Sequence, residues 1–426
     1  MRPVLLNTYD IRGGAARAAY RLHCGLREAG VDSRMLVQSK SGDDPYVEGP
    51  RSRFETLMGV VRPQFDILPM YLYPGRRKGV YYPGLLPGNY VNRVRGLNPD
   101  IVHLHWVAGG FLNHQALTGF GVPVMWTLHD MWAFTGGCHY DDGCGRYAGA
   151  CGSCPTLGSL RDADLSRWVW RQKRRKWAGV PLTVVTPSRW LAECARRSSL
   201  FSNKRIEVIP NGLDIKIFRP LDKCSARNLL HLPAEGRLIL FGALNANSDH
   251  RKGFHILIEA MRIFREVHEP HSGCQVVVLG ASRPISPPDL GVPVHYMGVL
   301  NDDVTLALLY SAVDVAVIPS TQENLSNTVM EALACGTPCV AFNVGGMPDL
   351  IEHQENGYLA CPFDPLDLAR GMQWVLEKRE RRCSLSKRAR EKVEADFDLR
   401  LVAQRYLALY SIMLNEVGWK TGFLKR

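Results

Sequence analysis

Short apolar runs, each followed by a helical pattern, recur along this chain, and that alternation restricts the fold more than any other feature. The first half contains VLLN near residue 5, SRMLVQ near 35, DIVHLHW near 103, PVMWTLHD near 127 and LTVVTPS near 184. The second contains IEVIPN, RLILFGA, CQVVVLGA, VHYMGV, VDVAVIPS, TPCVAF and GYLACP. Strands alternating with helices predict parallel sheets. At 426 residues, 46% of them hydrophobic, the chain is long enough for two packed cores. The expected fold is therefore α/β, with doubly wound domains at 1–200 and 206–398. The hinge is expected in SSLFSNKRI, near 198–206, and the segment 399–426 carries a last helix from Leu399 to Leu414.

The stretch PSTQENLSNTVMEALACGTPCVAFNVGG, Pro319 to Gly346, carries the most chemistry. Seven residues separate its two carboxylates, Glu323 and Glu331. Glu323 follows a β-like run, and Glu331 lies in the first turn of an expected helix. Such a backbone can set one acid beside a sugar and the other beside a ribose, while the helix start around Asn327 and Thr328 holds a diphosphate. Thr328 to Glu331 also fits a capping box, in which both side chains serve only the helix end. Gly336-Thr337-Pro338 closes that helix, and Gly345-Gly346 opens another, so two helix N-termini lie at the ends of adjacent strands.

Other candidates fall at strand ends. Arg251 and Lys252 precede Gly253 and can meet negative charge on a leaving diphosphate. Gly13-Gly14-Ala15 follows the first strand, where small residues allow close backbone approach. His129 and Asp130 end the strand PVMWTLHD, and His103 and His105 end DIVHLHW. A doubly wound domain displays its site at such ends; the plainer reading of each histidine is a hydrogen-bonded core residue. The triplets Asp162-Ala163-Asp164 and Asp396-Phe397-Asp398 read as exposed helix or helix-start residues rather than metal–diphosphate motifs.

Cys138, Cys144, Cys151 and Cys154 lie in GGCHYDDGCGRYAGACGSCP within a Cys-rich loop, 136–158, with His139 beside the first. The last pair has the C-x2-C spacing of a zinc knuckle, so a structural zinc is one expectation and free thiols another. The net charge of +11 fits an anionic partner. No nucleic-acid motif occurs. The run WVWRQKRRKW, 168–177, places tryptophans among cations, which suits an anionic membrane surface or, equally, a solvated helix with its tryptophans turned inward. No eighteen-residue apolar stretch occurs, so no spanning helix is expected. The opening MRPVLLNTYDIRGG turns polar too soon for a signal peptide, and the expectation is a cytoplasmic protein, free or at the inner face of the plasma membrane.

The stretch from Pro319 to Gly346, with VIPNGLD at 208–214, TPS at 186–188 and RKG at 251–253, resembles the donor-site signature of the retaining GT-B glycosyltransferases of family 4. The resemblance covers nearly the full length. Within that family, the Cys-rich loop and the basic Trp-rich run are similar to exopolysaccharide and colanic-acid-type transferases. The resemblance implies two Rossmann-like domains facing a central cleft, with the last helix returning to the first domain. It implies a nucleoside-diphosphate sugar as donor and a saccharide or lipid-linked saccharide as acceptor, with no cofactor needed for catalysis. It gives Lys252 to the diphosphate, turns the Gly13-Gly14 loop toward it, and places His129 near the sugar. One departure is that the family's Arg after the strand Leu238–Gly242 is replaced by Ala243-Leu244-Asn245, with Arg251 as a substitute. Two rivals remain: a nucleotide-sugar epimerase on the same fold, and a degenerate non-enzymatic partner of another transferase.

Overall fold

A computed structural model of the chain describes residues 1–77, 80–242, 250–266, 273–280, 282 and 287–423. Among these residues two sheets form, and every strand pairing within them is parallel. The first contains β1 (Pro3–Tyr9), β2 (Arg34–Ser39), β3 (Val47–Glu48), β4 (Ile101–Leu104), β5 (Val124–Thr127), β6 (Leu182–Thr186) and β7 (Arg205–Val208), in the order β3-β2-β1-β4-β5-β6-β7. The second contains β8 (Arg237–Gly242), β9 (Cys274–Leu279), β10 (Val294–Tyr296), β11 (Val315–Ile318), β12 (Cys339–Phe342) and β13 (Gly357–Ala360), in the order β10-β9-β8-β11-β12-β13. The order reverses between β1 and β4, and again between β8 and β11. In open α/β sheets such reversals are where ligands bind, beyond the carboxyl ends of the strands.

The chain divides into two compact units, one of residues Met1–Gly212 together with the segment from Arg400 onward, the other of Leu213–Leu399. The division therefore lies later than the 198–206 hinge read from sequence. The reason is β7: its Arg205–Val208 backbone pairs with Thr183–Thr186 of β6 and completes the edge of the first sheet.

The last helix, Leu399–Phe423, is longer than its apolar stripe suggested. Val402, Ala403, Tyr406, Leu409, Tyr410 and Met413 are buried in one cluster with Leu5, Met35, Ile101, Met125 and Val185 of the first sheet. Burying each large apolar side chain there contributes about 1.5–3 kcal/mol. The two tyrosines keep their hydroxyls bonded: Tyr410 to His103 Nδ1 at 2.6 Å and Tyr406 to Thr127 Oγ1 at 3.0 Å.

The basic Trp-rich run forms the helix Leu165–Trp177, capped by Asp164, which accepts from Arg167 N. Trp170, Lys173 and Trp177 are buried, while Trp168 is 45% exposed. Lys173 donates to the Trp132 and Thr135 carbonyls and lies 4.1 Å from the Trp132 ring centre. Burial pushes its pKa down to about 7. Two of the three tryptophans thus serve the core. Asp164 starts its helix as expected but is buried rather than exposed, and Asp396 is a partly exposed helix residue as expected.

Candidate functional site

In the second unit the backbone gathers the candidate residues. The turn His250–Lys252 precedes the helix Phe254–Glu266, and Gly253 between them has φ +69°. A Cβ at Gly253 would stand 1.8 Å from the Pro319 carbonyl oxygen, so only glycine lets this turn lie against the end of β11. Thr321 N bonds the Arg251 carbonyl at 2.8 Å and fastens the same contact. Beyond β12, Gly345 has φ +55°, and a Cβ there would stand 1.9 Å from the Glu323 carbonyl oxygen, which also accepts from Gly346 N at 3.0 Å. Glu323 is thereby clamped from both sides, and its Oε2 meets Lys252 Nζ at 2.8 Å. The sequence singled out both residues; the structure makes them an ion pair.

The helix Asn327–Ala334 opens beside this pair. Its N-cap is Ser326, whose hydroxyl accepts from Val329 N. The capping-box reading of Thr328 and Glu331 is therefore overturned: Glu331 lies two residues too far along the helix to serve the cap. It is instead buried, with Oε2 accepting from the Tyr310 hydroxyl at 2.9 Å. Burial and the adjacent carboxylate push the Tyr310 pKa far up, so it stays a donor. Sequence reasoning missed Tyr310, which lies on the preceding helix with no motif around it. Thr328 lies at the carboxyl end of β8: a Cβ on Gly242 would be 3.5 Å from its methyl group. The departure at Ala243-Leu244-Asn245 lies outside the described residues.

In the first unit, side chains hold one another at the ends of β1, β4 and β5. His105 Nδ1 bonds His129 Nε2 at 3.0 Å, with the rings stacked 5.3 Å apart. His103 lies behind them, its ring 4.3 Å from that of His105 and its Nε2 2.8 Å from Thr127 Oγ1. Burial pushes the His129 pKa down to about 4 and that of His103 to about 3, so both imidazoles are neutral near pH 7. Asp130 is the hub of a second set. Its Oδ2 accepts from Trp106 Nε1 at 2.9 Å and lies 2.6 Å from His139 Nδ1, and its Oδ1 accepts from Trp132 N at 2.8 Å. Burial raises its pKa, but His139 and these hydrogen bonds outweigh burial and hold the carboxyl below its usual range. Tyr9, Tyr82 and Trp132 pack around Trp106 and His139. This half-buried aromatic enclosure with a carboxylate and an imidazole was not foreseen, although His139 adjoins Cys138 in the sequence. Gly13 caps the helix Gly14–Glu28 at φ +93°, as the Gly-Gly pair suggested, with nothing within 4 Å of a Cβ there.

The four clustered cysteines, all free thiols, line one small cavity with Thr135, Tyr147 and Ser166. Cys138 and Cys154 pack with Met70, Tyr81 and Leu157, and burial pushes the Cys138 thiol far up. Among the described residues no three His, Cys, Asp or Glu are gathered as a metal ion requires. The cysteines share a cavity, but their arrangement does not fit the expected zinc. The loop has another visible consequence: Tyr82 N bonds the Gly137 carbonyl and Met131 N the His139 carbonyl, which sets His139 against Asp130.

Two family models match the chain: Glycosyltransferase Family 4 over residues 12–217 and Glycosyl transferases group 1 over residues 235–378. The D-inositol 3-phosphate glycosyltransferase of Xylanimonas cellulosilytica is 33% identical over 312 residues, covering 68% of this chain and 67% of the relative. That of Acidothermus cellulolyticus is 27% identical over 297 residues, 65% of this chain, and the match spans 60% of the relative's length. Among solved structures, a sucrose-phosphate synthase from Thermosynechococcus elongatus aligns with TM-score 0.68 at 22% identity, over 98% of this chain and 100% of that one. Anabaena HepE in complex with UDP and glucose aligns with TM-score 0.62 at 18% identity, over 96% and 99%. At these identities the structural likeness speaks for the fold.

Proposed function

Because the chain belongs to glycosyltransferase family 4 and has its GT-B fold, we propose that it moves a sugar from a nucleoside diphosphate to a saccharide or lipid-linked saccharide during assembly of a surface polysaccharide. The observation that carries the reading is the clamped Lys252–Glu323 pair beside the start of the helix Asn327–Ala334. The donor's diphosphate binds to Lys252, Arg251 and the first-turn amides at Asn327 and Thr328. Glu331, with one oxygen steadied by Tyr310, accepts from the ribose hydroxyls. Glu323 accepts from hydroxyls of the transferred sugar.

Transfer breaks the bond between the anomeric carbon and the diphosphate oxygen through an oxocarbenium-like transition state. The departing diphosphate takes the electron pair, and Lys252 with the amides stabilises its growing charge. The acceptor hydroxyl attacks from the face the diphosphate leaves, so the anomeric configuration is retained. A departing phosphate oxygen takes the hydroxyl proton. His129, neutral through burial, serves as a hydrogen-bonding partner of the sugar rather than as a cation.

A thermal-shift and calorimetric screen against nucleoside-diphosphate sugars tests this. The true donor should raise the melting temperature by mass action. Nucleoside diphosphate should then be released only when acceptor is present, and the acceptor panel should include inositol phosphate alongside oligosaccharides. Failure of every nucleotide sugar to bind would sink the reading. Conversion of the donor sugar without acceptor would replace it with an epimerase.

A further inference from the structure

The helix Arg53–Asp66 and the turn Leu68–Leu72 that follows it are built inside out. Gly59, Arg62 and Asp66 face the protein, while Arg53 at the helix start is exposed. Arg62 donates to the Gly110 carbonyl at 2.7 Å and to the Pro87 carbonyl at 2.7 Å. Asp66, buried, accepts from Leu85 N at 2.9 Å and Gly84 N at 3.1 Å. Gly59 lies so close that a Cβ would stand 2.8 Å from the Gln38 carbonyl oxygen. Met70 turns into the core, but six other large apolar side chains face outward. Phe54, Leu57, Val60 and Leu72 are between 60% and 81% exposed, and Phe65 and Leu68 about half. Single exposed apolar residues are ordinary, but a run of this length on one short segment marks an interaction surface.

Its neighbour supplies the charge. Leu165 N bonds the Tyr73 hydroxyl at 2.8 Å, so the helix Leu165–Trp177 begins where the apolar segment ends. That helix contains no acidic residue, and its exposed face carries Trp168, Arg171, Arg174 and Arg175. An apolar strip with Arg76 lying 4.4 Å from its Tyr71 ring, and a cationic helix starting at its end, matches the boundary between acyl chains and anionic headgroups. A second copy of the chain fits less well, because a twofold contact would bring like-charged arginines of both copies toward one interface. No helix among the described residues is long and apolar enough to cross a membrane.

We propose that residues 54–72 dock this protein on the surface of an anionic lipid bilayer, with the outward arginines of 171–175 on the headgroups. The inference does not depend on the reaction proposed above.

The test is co-sedimentation of the full chain with phosphatidylcholine vesicles, with and without phosphatidylglycerol. Wild type should partition onto the anionic vesicles, less as salt is raised. A variant combining Leu57→Asn, Val60→Asn and Phe65→Asn should partition at least about tenfold less, at an unchanged melting temperature since these side chains already face solvent. A second variant, Arg171→Gln with Arg174→Gln and Arg175→Gln, should lose the preference for anionic vesicles. Wild type remaining in the supernatant with both vesicle types would overturn the proposal. So would an apolar-face variant that partitions like wild type, or a dimer in ultracentrifugation that the same substitutions dissolve while vesicle binding persists.

Discussion

The two units hold their candidate groups by different means. In the second, the backbone does the positioning: Gly253 and Gly345 let two turns close on Pro319 and Glu323, and the Lys252–Glu323 pair follows from that approach. In the first, side chains hold one another, through His103, His105 and His129 in a row and through Asp130 bonded to Trp106 and His139. A site fixed by backbone needs particular residues at fixed offsets. A site fixed by side chains needs only that distant residues arrive together. The two should also fail differently, the first by titration and the second by loss of a single charge.

The largest difference should appear in acid. Burial lowers the pKa of His23 to about 4 and of His103 and His114 to about 3, and all three lie in the first unit. In the unfolded chain each titrates near its ordinary value of about 6.5. The unfolded state therefore takes up protons first as pH falls. Stability is intact above that value and is lost as pH drops through 6.5 toward the folded values, by up to about 1.4 kcal/mol per group per pH unit. The three together cost roughly 4 kcal/mol per unit once they titrate fully in the unfolded chain. All tryptophans except Trp374 lie in the first unit, so their fluorescence reports it. The urea midpoint by fluorescence should fall markedly between pH 7 and pH 5. An unchanged midpoint would remove the buried neutral histidines from the account.

Lys252→Ala breaks the comparison from the other side. It should leave the first unit's fluorescence transition where it was and reduce turnover by roughly 2–4 kcal/mol of transition-state stabilisation, the scale for one preorganised electrostatic group. The lost ion pair is partly exposed and should itself cost at most about 1 kcal/mol of stability. Turnover within twofold of wild type would show that Arg251 and the helix amides suffice.

How much of this was legible follows from the same contrast. Parallel strands show as apolar runs at any register, so twelve of them could be read from sequence. The two-residue β3 could not, and β7 was assigned to the wrong sheet because nothing local says which edge a strand joins. Glu323, Glu331 and Lys252 were legible because glycine and helix-start positions pin them. The Tyr310 contact, the Asp130–His139 set and the inverted helix Arg53–Asp66 were not, because each depends on residues brought together across turns and loops. The C-x2-C spacing of Cys151 and Cys154 suggested zinc, but spacing on one loop does not decide where Cys138 and Cys144 stand.

Asp130→Asn tests the side-chain-built site directly. Two carboxylate oxygens serve Trp106, His139 and Trp132, and an amide offers one acceptor oxygen. At least one buried donor loses its partner, at a cost of about 1–3 kcal/mol. Melting temperature and acceptor turnover should fall together while calorimetric donor affinity stays the same. A change in donor affinity alone would place Asp130 in a different role.

The same exchange of carboxylate for amide in the second unit should have the smallest effect and separates the two sites most cleanly. In Glu331→Gln the amide oxygen can still accept from Tyr310, so the buried contact survives and the melting temperature should move little. Ser326, not Glu331, caps the helix, so no capping loss is expected either. What disappears is the negative charge offered to the ribose. A hydrogen bond to a charged group contributes about 1 kcal/mol more than a neutral one, so donor affinity should weaken by roughly fivefold while the acceptor KM is unchanged. Calorimetric titration of donor into both proteins measures this. If affinity is unchanged, the charge of Glu331 does not act on the ribose, and the carboxylate serves to fix Tyr310 within the core. If affinity and melting temperature fall together, the variant has disturbed the packing around Tyr310, and Tyr310→Phe then separates the two causes. That variant keeps the charge of Glu331 and removes only its core partner, so a ribose role predicts lower stability with donor affinity close to wild type.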